Sequence, residues 1–531
     1  MSKFYKVVAL ALSLALMMSF TACSKQGQTQ SAGKISADAQ YPIDTDKTLT
    51  YWVNCSKNIT ASVTGMGETE FAQEAEKRTG IDIEYIHPAQ GQSTEQFNLL
   101  IASGDLPDII EYGWYSFPGG PGMAIDDNYI IALNDVMKSH APNISKYFDE
   151  HPEQAKMTQT DDGRYYVFPF MSPDPKLLST AGPIVRMDLL EKYGMEAPVT
   201  YDDWYKMLTA FKNDGIEIPL SFNATNTHEI QQLFGVFGGY TDYYLDAETD
   251  TIKYGPFEPE FKETLTMLAK WYSEDLIDKN FTTTSTTIRD SNVLNGKVGA
   301  TYASGGGQLD GWVLNAVDGV KMRSVKFPVK NVGDPGSKFK AMAYYYRMSG
   351  AAITTSCEDP GLAAKYLDYF YGDEGHMLVN FGIEGESYEM VDGKPVYTDK
   401  IMKNPDGLSM SDAMARYMRS CNSGPMIQDV GYIENRYYLQ EQKDALVNWS
   451  WGSDYTQKYK LPLILPSKEE ATEVADIANN VNTYRDNMIL KFITGLESMD
   501  KYDSFIQQMK DYNVERGIEI QQAAYERYKN R

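Results

Sequence analysis

TLTYWVNCSKNITASVTGMGETEFAQEAEKRTGIDIEYIHPAQGQSTEQFNLLIASGDLPDIIEY, residues 48–112, decides the fold class. TLTYWVN (48–54) is rich in β-branched and aromatic residues, and IDIEYI (81–86) alternates in the manner of a strand. LPDIIEY (106–112) is a third short apolar run. Between them, Glu68–Thr79 places Phe71 and Ala75 on one helical face and stops at Gly80. Residues 93–104 place Phe97, Leu100, Ile101 and Gly104 at helical spacing. Strand, helix, strand, helix, strand predicts a parallel sheet flanked by helices, and hence an α/β protein. Ligands of such sheets sit at the carboxyl ends of the strands. That rule puts residues 54–57 and 112–117 at a cleft edge.

The α/β style recurs downstream. Arg186–Tyr193, Tyr201–Asn213 and Glu260–Glu274 read as helices, as do residues 359–377 and most of 468–531. In the last segment Tyr502, Phe505, Ile506, Met509 and Tyr512 form a stripe suited to core packing. The body after residue 46 is too long for one core, so two lobes are expected.

The first residues set the location. Lys3 and Lys6 precede Val7–Phe20, a run of 14 uncharged residues, and Thr21-Ala22-Cys23 follows. This is the layout of a signal peptide, 1–22; the run falls short of the about 20 residues of a membrane span. Thr21-Ala22-Cys23 resembles the bacterial lipobox, with Phe20 replacing the usual Leu, which implies a diacylglyceryl group, with acyl chains such as palmitate, on the Cys23 sulfur. Two chains hold stably where one does not. Residues 23–46, rich in Ser, Gln, Gly, Ala and Asp, are expected to be a flexible tether on the outer face of the cell membrane.

Loss of two lysines with residues 1–22 would move the net charge from −24 to −26. So acidic a body repels nucleic acid. The five histidines are scattered, no HExxH, GxSxG or P-loop motif occurs, and the acidic pairs read as solvated surface. No metal, cofactor or catalytic residue is therefore assigned. Cys55, Cys357 and Cys421 leave the pairing of any disulfide open.

Several ordered segments resemble the family 1 extracellular solute-binding proteins of bacterial ABC importers, in particular their large oligosaccharide-binding lipoprotein branch. These are LLIASGDLPDII (99–110), DDGRYYVFP (161–169), RMDLLEKYGMEAPVTYDDW (186–204), LNGKVGATYASGG (294–306), AAKYLDYFYGDEG (363–375), FGIEGESYEMVDGKPVYTD (381–399) and residues 492–528. The resemblance implies a two-lobed, type II periplasmic-binding-protein-like fold with an interlobe ligand cleft. One lobe takes 47–168 plus 349–398 and the other 169–348 plus 399–531. AFKNDGIEIPLSF (210–222) stands where larger members carry a calcium loop. It offers only Asn213, Asp214 and Glu217 where calcium wants six to eight oxygens, so that site is expected to be absent or weak.

A sugar offers a C–H face to aromatic rings and hydroxyls to amides, carboxylates and guanidinium groups. Trp52 and Asn54 end the first strand, and Trp114 follows the third. Trp312 follows the glycine loop 305–307, Tyr345 and Arg347 lie in YYYRMSG, and Trp449 and Trp451 lie in NWSWGSDY. These eight are the predicted ligand-binding residues; at Trp114 and Trp312 the resemblance implies stacking on sugar. The expected role is capture of an oligosaccharide by a monomer that delivers it to ABC permease subunits, with no bond broken. The alternative is an extracellular polysaccharide-degrading enzyme, a glycosidase or lyase, which needs placed carboxylates in the same cleft. A sugar sensor feeding a kinase is a third reading.

Overall fold

The computed structural model describes residues 34–223, 227–419 and 424–531. The signal peptide, Cys23 and Cys421 lie outside the described residues. The first three predicted strands form as β1 (Thr48–Trp52), β2 (Asp82–Ile86) and β3 (Ile109–Tyr112), all parallel. Thr69 accepts a hydrogen bond from the Ala72 N–H and so caps the helix Glu70–Thr79. Gly80, at φ +72°, ends it, because a side chain there would meet the Ile43 backbone.

The later strands are β4 (Phe168–Met171), β5 (Ala181–Arg186), β6 (Ile218–Leu220), β7 (Tyr243–Asp246), β8 (Thr251–Tyr254), β9 (Val298–Ser304), β10 (Met322–Ser324), β11 (Tyr346–Ile353), β12 (Tyr388–Val391), β13 (Lys394–Tyr397) and β14 (Met426–Ile427). They build a six-stranded sheet in the order β14-β4-β11-β3-β1-β2 and a four-stranded sheet in the order β10-β5-β9-β6. β7–β8 and β12–β13 are hairpins. Helices cover both sheets. The first core gathers Tyr51, Phe97, Ile109, Ile110, Phe168 and Ile353; the second gathers Trp204, Phe211, Leu220, Trp271, Phe492 and Phe505.

The chain passes between sheets three times, at 172–180, 325–345 and 428–439. The third passage lies some thirty residues beyond the expected one near 398. Residues 399–427, placed with the second lobe from sequence, pack on the first sheet instead: β14 pairs with β4, and Arg419 forms an ion pair with Glu111 of β3. Both side chains of that pair are at most 4% exposed, and the Tyr51 hydroxyl donates to Glu111 Oε2 at 2.7 Å. A second difference concerns the tether. Tyr41 packs edge-on against Tyr369 and donates to the Lys365 carbonyl, Ile43 is buried, and Lys47 pairs with Asp359 at 2.7 Å. The last residues of the expected tether are therefore docked on the first core. Cys55 and Cys357 are buried free thiols. No helix among the described residues is long and apolar enough to cross a membrane.

Removing one member of a buried pair strands the other charge. Arg419→Met should lower the unfolding free energy by about 3–5 kcal/mol in urea titrations, and adding Glu111→Leu should restore most of the loss. A loss under about 1 kcal/mol would show that Glu111 is solvated.

Candidate ligand cleft

Strand direction defines where a ligand can sit. β4 and β3 both run antiparallel to β11, so β1, β3, β4 and β14 all point their carboxyl ends toward the 172–180 crossing. In the second sheet Ala181, the first residue of β5, pairs with Ser304, the last of β9, and β6 runs parallel to β9. The carboxyl ends of β6 and β9 therefore face the same crossing. Residues 53–56, 113–117, 172–178, 222–223 and 304–308 converge on this region, with the second crossing, 325–345, beside them.

The structure sorts the eight predicted residues. Asn54 is exposed at the end of β1. Tyr345 is half-buried; its carbonyl accepts from the Ser172 N–H at 2.7 Å, joining the first two crossings. Arg347 is half-buried, beside the Leu177 carbonyl and 6.0 Å from the Phe170 ring centre. Trp451 is half-buried, with the Lys326 ammonium 4.8 Å from the ring centre. Asn54 stands at a strand end and Tyr345 and Arg347 at the second crossing, while Trp451 follows the helix Gln440–Ser450 and touches that crossing through Lys340 and Lys326.

The other four are core residues, contrary to expectation. Trp52 alternates inward and packs on Phe97 and Tyr112. Trp114 is fully buried: the short helical turn Trp114–Ser116 rolls its ring under the strand end, where its N–H donates to the Ile110 carbonyl at 3.0 Å. Trp312 sits within the second core on the helix Asp310–Asn315, 5.8 Å from the Arg289 guanidinium. Trp449 lies flat on Gly182, where a Cβ would come within 2.3 Å of the indole, and donates to the Pro183 carbonyl. None of these rings offers a face to a sugar in this conformation.

What the sequence reading missed is a cavity of about 230 Å³ beside the second crossing. Its wall includes Gln231 and Gln232 from the helix Thr227–Val236, which follows the carboxyl end of β6, with Tyr240, Lys338, Tyr344, Tyr459 and Lys460. The signal was present in KFKAMAYYYR (338–347), where basic and aromatic residues are interleaved. Lys340, 3% exposed, spends all three ammonium protons on the Trp449 and Trp451 carbonyls and Ser453 Oγ at 2.7–2.9 Å. It thereby fixes the NWSWGSDY segment. Burial pushes its pKa down to about 7, against the opposing pull of Asp454. Lys460 is likewise pushed down to about 7, by burial and then by the Arg347 charge. In the 210–222 stretch, Lys192 holds both Asp214 oxygens and Lys297 pairs with Glu217. No cluster of three or more metal-ligating side chains occurs among the described residues.

This architecture has relatives. Residues 60–377 match the bacterial extracellular solute-binding protein family, and the chain belongs to that family. The fructooligosaccharide ABC transporter substrate-binding protein FusA of Streptococcus pneumoniae is 24% identical over 547 aligned positions, 98% of this chain and 97% of the relative. Its structure with kestose has a TM-score of 0.68, at 22% identity over 91% of this chain and 100% of that one. An HMO-binding, ABC-transporter-associated solute-binding protein from Bifidobacterium longum infantis has a TM-score of 0.73, at 17% identity over 91% and 99%. The alginate-binding protein AlgQ2 without calcium ion has a TM-score of 0.66, at 23% identity over 91% and 99%. The fold is thus the two-lobed, type II solute-binding fold expected from the sequence.

A lysine whose folded pKa lies below its unfolded value of 10.5 penalises folding while it is charged. The penalty is complete below pH 7 and fades as pH rises toward 10.5. Stability should therefore rise from pH 7 to 9.5, and Lys340→Met should flatten that rise by up to about 1.4 kcal/mol per pH unit, the value of one proton. Parallel urea titrations of the two proteins measure it; equal slopes would mean that Lys340 ionises normally.

Proposed function

We propose that this protein is a cell-surface lipoprotein that captures an oligosaccharide between its lobes and presents it to the permease of an ABC importer. The observation that carries the proposal is the convergence of strand carboxyl ends from both sheets on one region, in a chain aligned over nearly its full length with a fructooligosaccharide-binding relative. Exposed Asn54 and half-buried Tyr345, Arg347 and Trp451 supply the polar and aromatic groups a sugar needs. A ligand touching both lobes favours the closed arrangement over the open one. Micromolar capture, about −8 kcal/mol, serves such a role.

The protein acts as a monomer, is held by a lipid on Cys23 and breaks no bond. The relatives named above are binding proteins, which supports the last point. A glycosidase or lyase would release new reducing ends from candidate glycans, whereas this protein should release none.

Two measurements test the proposal. In a thermal-shift panel of neutral and acidic oligosaccharides at a hundred times Kd, a true ligand should stabilise the fold by about 2.7 kcal/mol. Failure of every glycan, with binding of an amino acid or peptide, would overturn the carbohydrate assignment. Cys23→Ser should move the protein from the membrane fraction to the medium; unchanged membrane retention would contradict the lipid anchor.

A further inference from the structure

We infer that the cavity beside the second crossing is an anion subsite, and that it takes the carboxylate of a uronic acid residue within the captured oligosaccharide. The inference rests on the carbohydrate reading above and narrows it to acidic glycans.

The first argument is charge. The chain carries 73 acidic and 49 basic residues. Yet three lysines, Lys338, Lys340 and Lys460, line this cavity with no Asp or Glu among its described lining residues. Among the described residues none of the three has a carboxylate within ion-pair distance. Arg347 adds to the same field, since its charge acts on Lys460. Acids stand behind the wall: Asp454 acts on Lys340, Asp242 on Tyr344 and Tyr240, and Glu258, Asp246 and Glu248 on Tyr244 and Tyr459, the rings beside Lys338, which also borders a second cavity lined by Glu260, Glu263 and Asp334. Gathering ammonium groups in a partly dehydrated cavity without a counter-charge is costly, and an arriving anion reverses that cost.

Free donor capacity comes second. Lys340 is fully used, so it contributes charge and position only. Lys460 donates to the Met342 carbonyl and lies over the Tyr344 ring, 3.6 Å from its centre, which leaves ammonium protons unspent. The Lys338 ammonium is held by rings rather than acids, at 4.6 Å from Tyr459, 5.0 Å from Tyr244 and 5.1 Å from Phe339. Two ammonium groups can thus meet a carboxylate, while the Tyr240 ring, stacked on Phe339 by its other face, and the Gln231 amide line the same cavity. The volume is below the about 300–1,000 Å³ of a drug-sized pocket, which suits one sugar residue of a chain. The net negative charge of the body does not forbid this, because fields of distant exposed groups are screened beyond about 8 Å.

The test is calorimetric titration of the full mature chain with oligogalacturonate, with the same oligomer fully methyl-esterified, and with a neutral fructo-oligosaccharide. Oligogalacturonate should bind at least ten-fold tighter than its ester. Lys460→Met and Lys338→Met, each checked for native circular dichroism, should each erase most of that difference. Equal binding of acid and ester, preference for the neutral fructan, or an acid preference untouched by both substitutions would overturn the subsite while leaving carbohydrate capture standing. Failure of all three glycans to bind, together with failure of the wider glycan panel, would overturn the carbohydrate reading itself, and the subsite with it.

Discussion

Everything in this structure follows from the direction in which two sheets meet their crossings. β4 ends and β5 begins at one short segment, 172–180, and the antiparallel partners β11 and β9 then fix the sense of the remaining strands. Ligands of such sheets sit outside the carboxyl ends of the strands, and both sheets present those ends to the same space. The loops need not be rigid in themselves: the sheets behind them hold their ends, and the crossings limit how far one sheet can turn from the other. Further ties span the gap, as Arg527 and Arg531 grip Asp161 and the Tyr115 hydroxyl donates to the Ile464 carbonyl. Any closing motion has to bend the crossings while keeping or exchanging these ties.

The fate of the tryptophans shows how strongly packing competes with binding for large rings. Full burial of such a side chain stabilises by several kcal/mol at about 25 cal/mol per Å². A ring at a strand end that can fold back into the core does so unless geometry forbids it. Trp114 rolls onto Phe97, and Trp449 finds a bare glycine to lie on. Trp451, two residues on, stays half-buried beside Lys326, although Lys340 holds the carbonyls of both tryptophans alike.

The parallel sheet was legible because the strand runs of 48–112 are separated by helices with clear stop signals, Gly80 and Gly104, both of which adopt positive φ. The helices of 186–213 and 468–531 were legible from periodicity, and Thr200–Asp203 closes a capping box at the head of the helix Tyr201–Asn213. The third crossing was not, because its position depends on a pairing 308 residues apart in sequence, Glu111 with Arg419, and on a two-residue strand. At the cleft, position along the chain was readable but ring orientation was not: sequence spacing says that a residue follows a strand, not which way its side chain rolls. The lysine cavity escaped for a related reason, since residues 231–240, 338–344 and 456–460 come together only in the fold.

The central claim, that one ligand is gripped from both sheets at their strand ends, is tested most directly by hydrogen–deuterium exchange of the mature protein with and without a saturating oligosaccharide. The account predicts slowed exchange in 54–57 and 113–117 of the first sheet together with 304–308 of the second and 338–345 of the crossing between them. Slowing confined to one sheet, or located away from both sets of strand ends, would contradict it.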